Sequence, residues 1–169
     1  MGSSVVGFPN PVNEVASRVV AGGVVVVAVV AITTQQPWLS AVLAYGFLAR
    51  VVTGPTLSPL GQLATRIVAP RISPLPRLVP GPPKRFAQAI GAVLTVAATI
   101  LYFGFGLTTA TYVLLGLLVL AASMESFLGF CLGCWIFGLL MRIGVIPAEV
   151  CEACANLQSP AALARRQQG

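Results

Sequence analysis

The chain has 169 residues, 57% of them hydrophobic, with ten Lys and Arg against four Glu and a net charge of +6. A soluble domain carries about 25% charged residues; at 8% there is too little charge to cover a water-facing surface. The composition therefore excludes a soluble globular domain and a disordered chain and leaves an integral membrane protein, which the helical segments below make all-α. There is no His and no Asp, which also removes Ser-His-Asp triads, His-based zinc hydrolases, kinase-type metal carboxylates and EF-hand loops.

Residues 1–14 read as a cytoplasmic N-terminal segment. They do not read as a cleavable signal, because no charged region precedes an early apolar core and no Ala-x-Ala site stands out. Val19–Ala49 then runs 31 residues without charge, more than the roughly 20 apolar residues of one crossing. Gln35-Gln36-Pro37 divides it, so residues 15–52 are expected to form a hairpin of two helices, near 15–34 and 37–52. Pro37 suits a first helical turn, and Trp38 and Tyr45 suit an interface.

Residues 53–84 form a Pro- and Arg-rich loop. Pro55, Pro59, Pro70, Pro74, Pro76, Pro80, Pro82 and Pro83 exclude a continuous helix across it. Within it, 58–69 predicts a short amphipathic helix: Ser58 caps, Pro59 takes the first position, and Leu60, Leu63, Ile67 and Val68 share a side. The helix suits the membrane surface; packing on the bundle as an ordinary loop helix fits nearly as well. The next uncharged window, Phe86–Met124, has 39 residues and breaks at Gly104-Phe105-Gly106. Residues 85–124 are thus expected to form a second hairpin, with helices near 85–103 and 107–124.

The four predicted crossings place every basic residue on one side. Arg18 precedes the first helix; Arg50, Arg66, Arg71, Arg77, Lys84 and Arg85 flank or fill the central loop; Arg142, Arg165 and Arg166 follow the last. The two tight turns carry none. The positive-inside rule then expects both termini and the central loop in the cytoplasm of a bacterial cell, with the chain multi-pass in its membrane. Basic residues along one membrane face are accounted for by anionic lipid headgroups, so no nucleic-acid partner is expected. The two halves also parallel each other, with Pro59-Leu60-Gly61-Gln62 matching Cys131-Leu132-Gly133-Cys134, which suggests a parallel repeat.

Residues 125–142 hold Ser126–Met141, 16 uncharged residues between Glu125 and Arg142. A fifth crossing would export Arg142 and the 143–169 tail, so an interfacial or re-entrant helix fits the charges better. Ser126, Gly129 and Gly133 suggest a small-residue face for close helix approach. Glu125, an ionisable group at the end of a membrane helix, is a candidate for a charge or proton role, with Arg142, Arg50 or Lys84 as its partner.

The sharpest chemical feature is four cysteines in two Cys-x-x-Cys pairs, Cys131/Cys134 and Cys151/Cys154, the second flanked by Glu149 and Glu152. Three readings stay open on the residues alone. One is a redox pair, since the motif activates its leading thiol. The second is a structural zinc site, because Cys-x2-Cys-x16-Cys-x2-Cys falls within four-thiolate spacing. The third is inert packing of small apolar side chains. No organic cofactor is implied.

The stretches Pro83-Lys84-Arg85-Phe86-Ala87-Gln88-Ala89-Ile90-Gly91 and Gly129-Phe130-Cys131-Leu132-Gly133-Cys134 resemble the bacterial, mainly actinobacterial, membrane proteins catalogued as domain of unknown function 4395. The resemblance covers roughly residues 10–143, and its Cys-x-Gly-Cys end maps to Cys131 and Cys134. It implies thiol or sulfur handling with a thioredoxin-like or rhodanese-type sulfurtransferase partner. On the redox reading Cys131 is expected to attack and Cys134 to resolve, with Cys151/Cys154 as an acceptor pair or relay. Trp135 departs from the family's frequent polar residue, and Cys151/Cys154 lies in a C-terminal extension. A second class of function is a non-catalytic subunit of a larger membrane complex, its cysteines holding zinc or packing.

Overall fold

The computed structural model describes residues 10–73, 77–151 and 154. In chain order these form β1 (Val12–Asn13), α1 (Glu14–Thr33), α2 (Trp38–Thr53), α3 (Pro59–Leu63), a π-helical turn (Ala64–Val68), α4 (Ala69–Ile72), β2 (Leu78–Val79), α5 (Gly81–Phe105), α6 (Thr108–Ser123), a second π-helical turn (Met124–Leu128), α7 (Leu132–Arg142) and a 3-10 turn (Ala148–Cys151). Three helical runs, Glu14–Thr33, Gly81–Phe105 and Thr108–Leu128, are long and apolar enough to cross a membrane. The 16 residues of α2 span only about 24 Å at 1.5 Å per residue, short of a hydrocarbon core of about 30 Å. Of the four expected crossings, three correspond to helices long and apolar enough to span, and the fourth, α2, is shorter.

Local chemistry explains where the helices start and stop. The Asn13 side chain caps α1 by accepting from the Val15 N–H at 3.0 Å, and Glu14 in the first turn suits the positive end of the helix dipole. α5 begins at Gly81, ahead of the expected residue 85. Pro82 and Pro83 fall in its first turn, where a missing N–H has no partner to lose. Gly106 closes α5 with φ +67°, its N–H reaching Tyr102 O at 3.0 Å while the Leu107 N–H reaches Leu101 O at 2.9 Å, which satisfies carbonyls left open at the helix end. β1 pairs antiparallel with β2, a two-residue ribbon absent from the sequence expectations. It ties the start of α1 to the start of α5, reinforced by the Gly81 N–H on Asn10 Oδ1 at 3.0 Å.

The short helix of the central loop begins as expected. Ser58 Oγ accepts from the Gly61 N–H at 3.3 Å, with Pro59 in the first turn. It runs beyond residue 69 to Ile72 because the wide turn before Pro70 removes the demand for a regular backbone bond at that residue. Ser58 is fully buried. Ser58→Ala is expected to cost about 1 kcal/mol, read as a lowered thermal midpoint of the detergent-solubilised protein.

The core is built from small residues. Val24, Ala28 and Ala31 of α1 meet Leu115, Leu118 and Ala122 of α6, together with Leu43, Phe47, Ala92 and Ala98. α2 and α5 approach so closely that a Cβ at Gly91 would run into the Phe47 ring. Thr99 Oγ1 donates to Ser40 Oγ across them at 3.0 Å. Outward-facing positions are instead Val26, Val42, Val93, Val113, Leu117 and Leu120, all largely exposed, a surface suited to lipid tails rather than water. α1 packs on α6 and α2 on α5, while α3 and α4 lie on α1 and α7 lies on α5. Exchanging the two halves of the chain maps each of these contacts onto another.

Candidate functional site

The starts of α1 and α5 and the ends of α2 and α6 meet at one end of the bundle, and most of the polar chemistry collects there. Lys84 on α5 and Glu125 beyond α6 form an ion pair at 2.7 Å, largely withdrawn from solvent. Ser17 on α1 donates to the same carboxylate oxygen at 3.4 Å. Of the three partners proposed for Glu125, Lys84 makes the contact. Arg50, from the end of α2, is only 4% exposed. Its guanidinium lies 4.4 Å from the Phe47 ring centroid, a cation–π contact that holds it in place.

Arg18 has a role that its charge alone did not reveal. Its guanidinium donates to Ser126 O at 3.4 Å and to Phe127 O at 3.2 Å, carbonyls that a helix end leaves without partners. Gly129, at φ +68°, ends the helix directly over that guanidinium. A Cβ there would lie 3.2–3.4 Å from its atoms.

Gly129 also corrects the expected segment 126–141. It is not one helix. Ser126–Leu128 belong to the end of the long run from Thr108, the backbone turns left-handed at Gly129, and α7 starts afresh at Leu132. Ser126, Gly129 and Gly133 consequently do not lie on one helical face. Each meets another part of this chain: Ser126 Oγ stands 3.0 Å from where a Cβ on Gly22 would be, Gly129 meets Arg18, and Gly133 lies against Ala87 on α5.

Gly133 places the first cysteine pair. Its contact seats the start of α7 on the start of α5, next to the Lys84–Glu125 pair. Cys131 is the N-cap of α7, in extended backbone, and its sulfur accepts the Cys134 N–H at 3.3 Å. The two sulfurs are bridged, with Cα atoms 5.2 Å apart. Both residues are half-buried, so the bridge is reachable. A sulfur at a helix start, receiving a backbone N–H, is in the setting that stabilises a thiolate. Cys151 and Cys154 are also bridged, with Cys151 buried. Cys154, Cys131 and Cys134 line one open cavity of about 440 Å³, whose wall includes Lys84, Phe130 and Trp135.

Among the described residues no group of three or more His, Cys, Asp or Glu is placed to hold a metal ion. Zinc is bound by thiolates, so the four-cysteine reading would require both bridges to be opened. Glu149 is exposed; Glu152, Arg165 and Arg166 lie outside the described residues. Glu125 and both cysteine pairs stand out in the sequence as candidates, whereas the burial of Arg50 and the capping by Arg18 do not. Basic residues near helix ends read first as interfacial, and only the packing shows which ones turn inward.

No curated protein and no solved structure matches the chain. The profile of one family, described as a domain of unknown function, DUF4395, matches residues 12–142. That span takes in the three long helices and the Cys131–Cys134 bridge and stops short of Cys151. With well over half of its length matched, the chain belongs to the DUF4395 family.

Proposed function

We propose that this is a multi-pass protein of the bacterial cytoplasmic membrane whose Cys131/Cys134 pair exchanges disulfides with a soluble thioredoxin-like or sulfurtransferase partner. The bundle crosses four times, α2 being the short crossing, and its basic end faces the cytoplasm with both termini. The observation that carries the reading is the position of Cys131: at the N-cap of α7, half-exposed, receiving the Cys134 N–H and already bridged to Cys134.

The exchange balances as follows. In the reduced protein the Cys131 thiolate attacks one sulfur of the partner's disulfide, forming a mixed disulfide and releasing a partner thiolate. The Cys134 thiolate then attacks the Cys131 sulfur, closing the internal bridge and releasing the partner's second thiolate. Two electrons pass to the partner, and its two thiolates take up protons according to their pKa. The reverse direction uses the same atoms. Cys154, on the wall of the same cavity, suits the second pair to relay electrons to the first. Exposed Phe130 and Trp135 give a partner an apolar rim around the bridge.

The test is alkylation in intact and opened spheroplasts with a membrane-impermeant maleimide. Cys131 and Cys134 are expected to label only after opening and only after reduction by dithiothreitol or reduced thioredoxin. Cys134→Ser should accumulate a mixed disulfide through Cys131, and Cys131→Ser should not. Labelling that ignores both reductants would overturn the redox reading; labelling in unopened spheroplasts would overturn the orientation.

A further inference from the structure

A second cavity lies beside the Lys84–Glu125 pair, with a volume of about 210 Å³ and Arg50, Ser17, Asn13, Thr65 and Gln88 on its wall. None of the cysteines lines it. Two of the guanidinium nitrogens of Arg50, Nε and Nη1, are buried without an acceptor, and Gln88 Oε1 is buried without a donor. An amide's oxygen and nitrogen exchange places by a half turn, so Gln88 offers either an acceptor or a donor here. The rest of the wall, including Val20 and Pro55, is apolar.

The charge count at this end is uneven. Lys84 is already matched by Glu125 at 2.7 Å, and no hydrogen bond joins that carboxylate to Arg50. One buried positive charge is left over, with N–H groups free and room beside them. A buried charge is retained only when it is paired and hydrogen-bonded; a water would accept the N–H groups but leave the charge uncompensated. Arginine is suited to oxyanions, whose oxygens accept its N–H groups, and Gln88, turned by a half turn, adds a neutral amide donor.

We infer that this cavity is an anion site in which Arg50 binds a phosphate-type oxyanion, either the phosphodiester of an anionic lipid headgroup or a free oxyanion. The site is separate from the proposed disulfide exchange and stands whether or not that reading holds.

The test uses the full chain, purified in mild detergent and stripped of lipid. Binding is followed by native mass spectrometry and thermal shift with inorganic phosphate, inorganic sulfate and short-chain phosphatidylglycerol. Saturable binding that Arg50→Met weakens by about tenfold or more is the expected result. Binding of inorganic phosphate or sulfate assigns a free oxyanion; binding of phosphatidylglycerol alone assigns the lipid headgroup. Absence of saturable binding by all three in the unaltered protein would overturn the site, as would undiminished binding in Arg50→Met. Ser17→Cys provides a second report if Arg50→Met does not fold: a bound anion should slow alkylation of the new thiol, and an unchanged rate at saturating anion would also overturn the site.

Discussion

Gly133→Val is expected to unseat α7 from α5 and destabilise the protein by about 3 kcal/mol or more, since overpacking against a surface that cannot yield reaches the top of its usual range. A Cβ at residue 133 would lie 2.6 Å from both Cα and Cβ of Ala87 and 3.3 Å from its backbone nitrogen. Two are main-chain atoms of a long helix and the third is a Cβ that no torsion moves, so no side-chain rotation relieves the clash. Gly91 is different: the obstacle there is the ring of Phe47, which has a torsion to turn. Gly116, with nothing within 4 Å, is the contrasting control. Gly116→Ala adds a methyl group to open space in a helix and should be neutral or stabilising by up to about 1 kcal/mol. The measurement is thermal unfolding in one detergent for all three proteins. A second readout follows from the geometry: with α7 lifted, reduced Cys131 loses its fixed position at the helix start, and its alkylation rate should change in Gly133→Val but not in Gly116→Ala. A Gly133→Val midpoint within a degree or two of the unaltered protein would mean that α7 is not held by this contact.

The parts of the fold that the sequence revealed are those written in local chemistry. The scarcity of charge announced a lipid-facing surface, Ser58-Pro59 marked a helix start, and Gln35–Pro37 and Gly106 marked the two turns. Glu125 was recognisable because a carboxylate between apolar stretches needs a reason to be there. What stayed hidden depends on contacts distant in sequence. The β1–β2 ribbon joins Val12 to Val79 through two residues a side, too few for any alternation to register. Gly129 looked like one end of a helical Gly-x-x-x-Gly face, but its left-handed φ stops one helix and separates it from the next. The difference between a glycine that packs and a glycine that turns is not visible in spacing. Arg50 read as one basic residue among ten at a membrane face; only the closeness of α2 to α5 turns it inward. The cysteine pairs were plain from spacing, whereas the helix-cap position of Cys131 required knowing that α7 begins at Leu132.

The second large effect is expected at Glu125. Glu125→Gln leaves the Lys84 ammonium, only 7% exposed, without its carboxylate. Removing one partner of a buried ion pair costs about 3–5 kcal/mol, because the remaining charge is stranded away from water. The penalty should be larger than the worth of the pair itself, and that difference is measurable. Lys84→Met alone removes the ammonium and leaves Glu125 with the Ser17 hydroxyl, so it too should be destabilising. Lys84→Met combined with Glu125→Gln removes both charges and should recover most of the lost stability, giving a strong coupling in a double-mutant cycle. Two simply additive losses, or single-variant losses below about 1 kcal/mol, would mean that the pair behaves as a solvated interfacial contact. The cycle also bears on Arg50. In the unaltered protein the Glu125 carboxylate attracts that guanidinium without bonding to it, and the doubly neutral protein loses that attraction. Stability in that variant should depend more steeply on added phosphate or anionic lipid than in the unaltered protein, and this dependence should vanish when Arg50→Met is added to the same background.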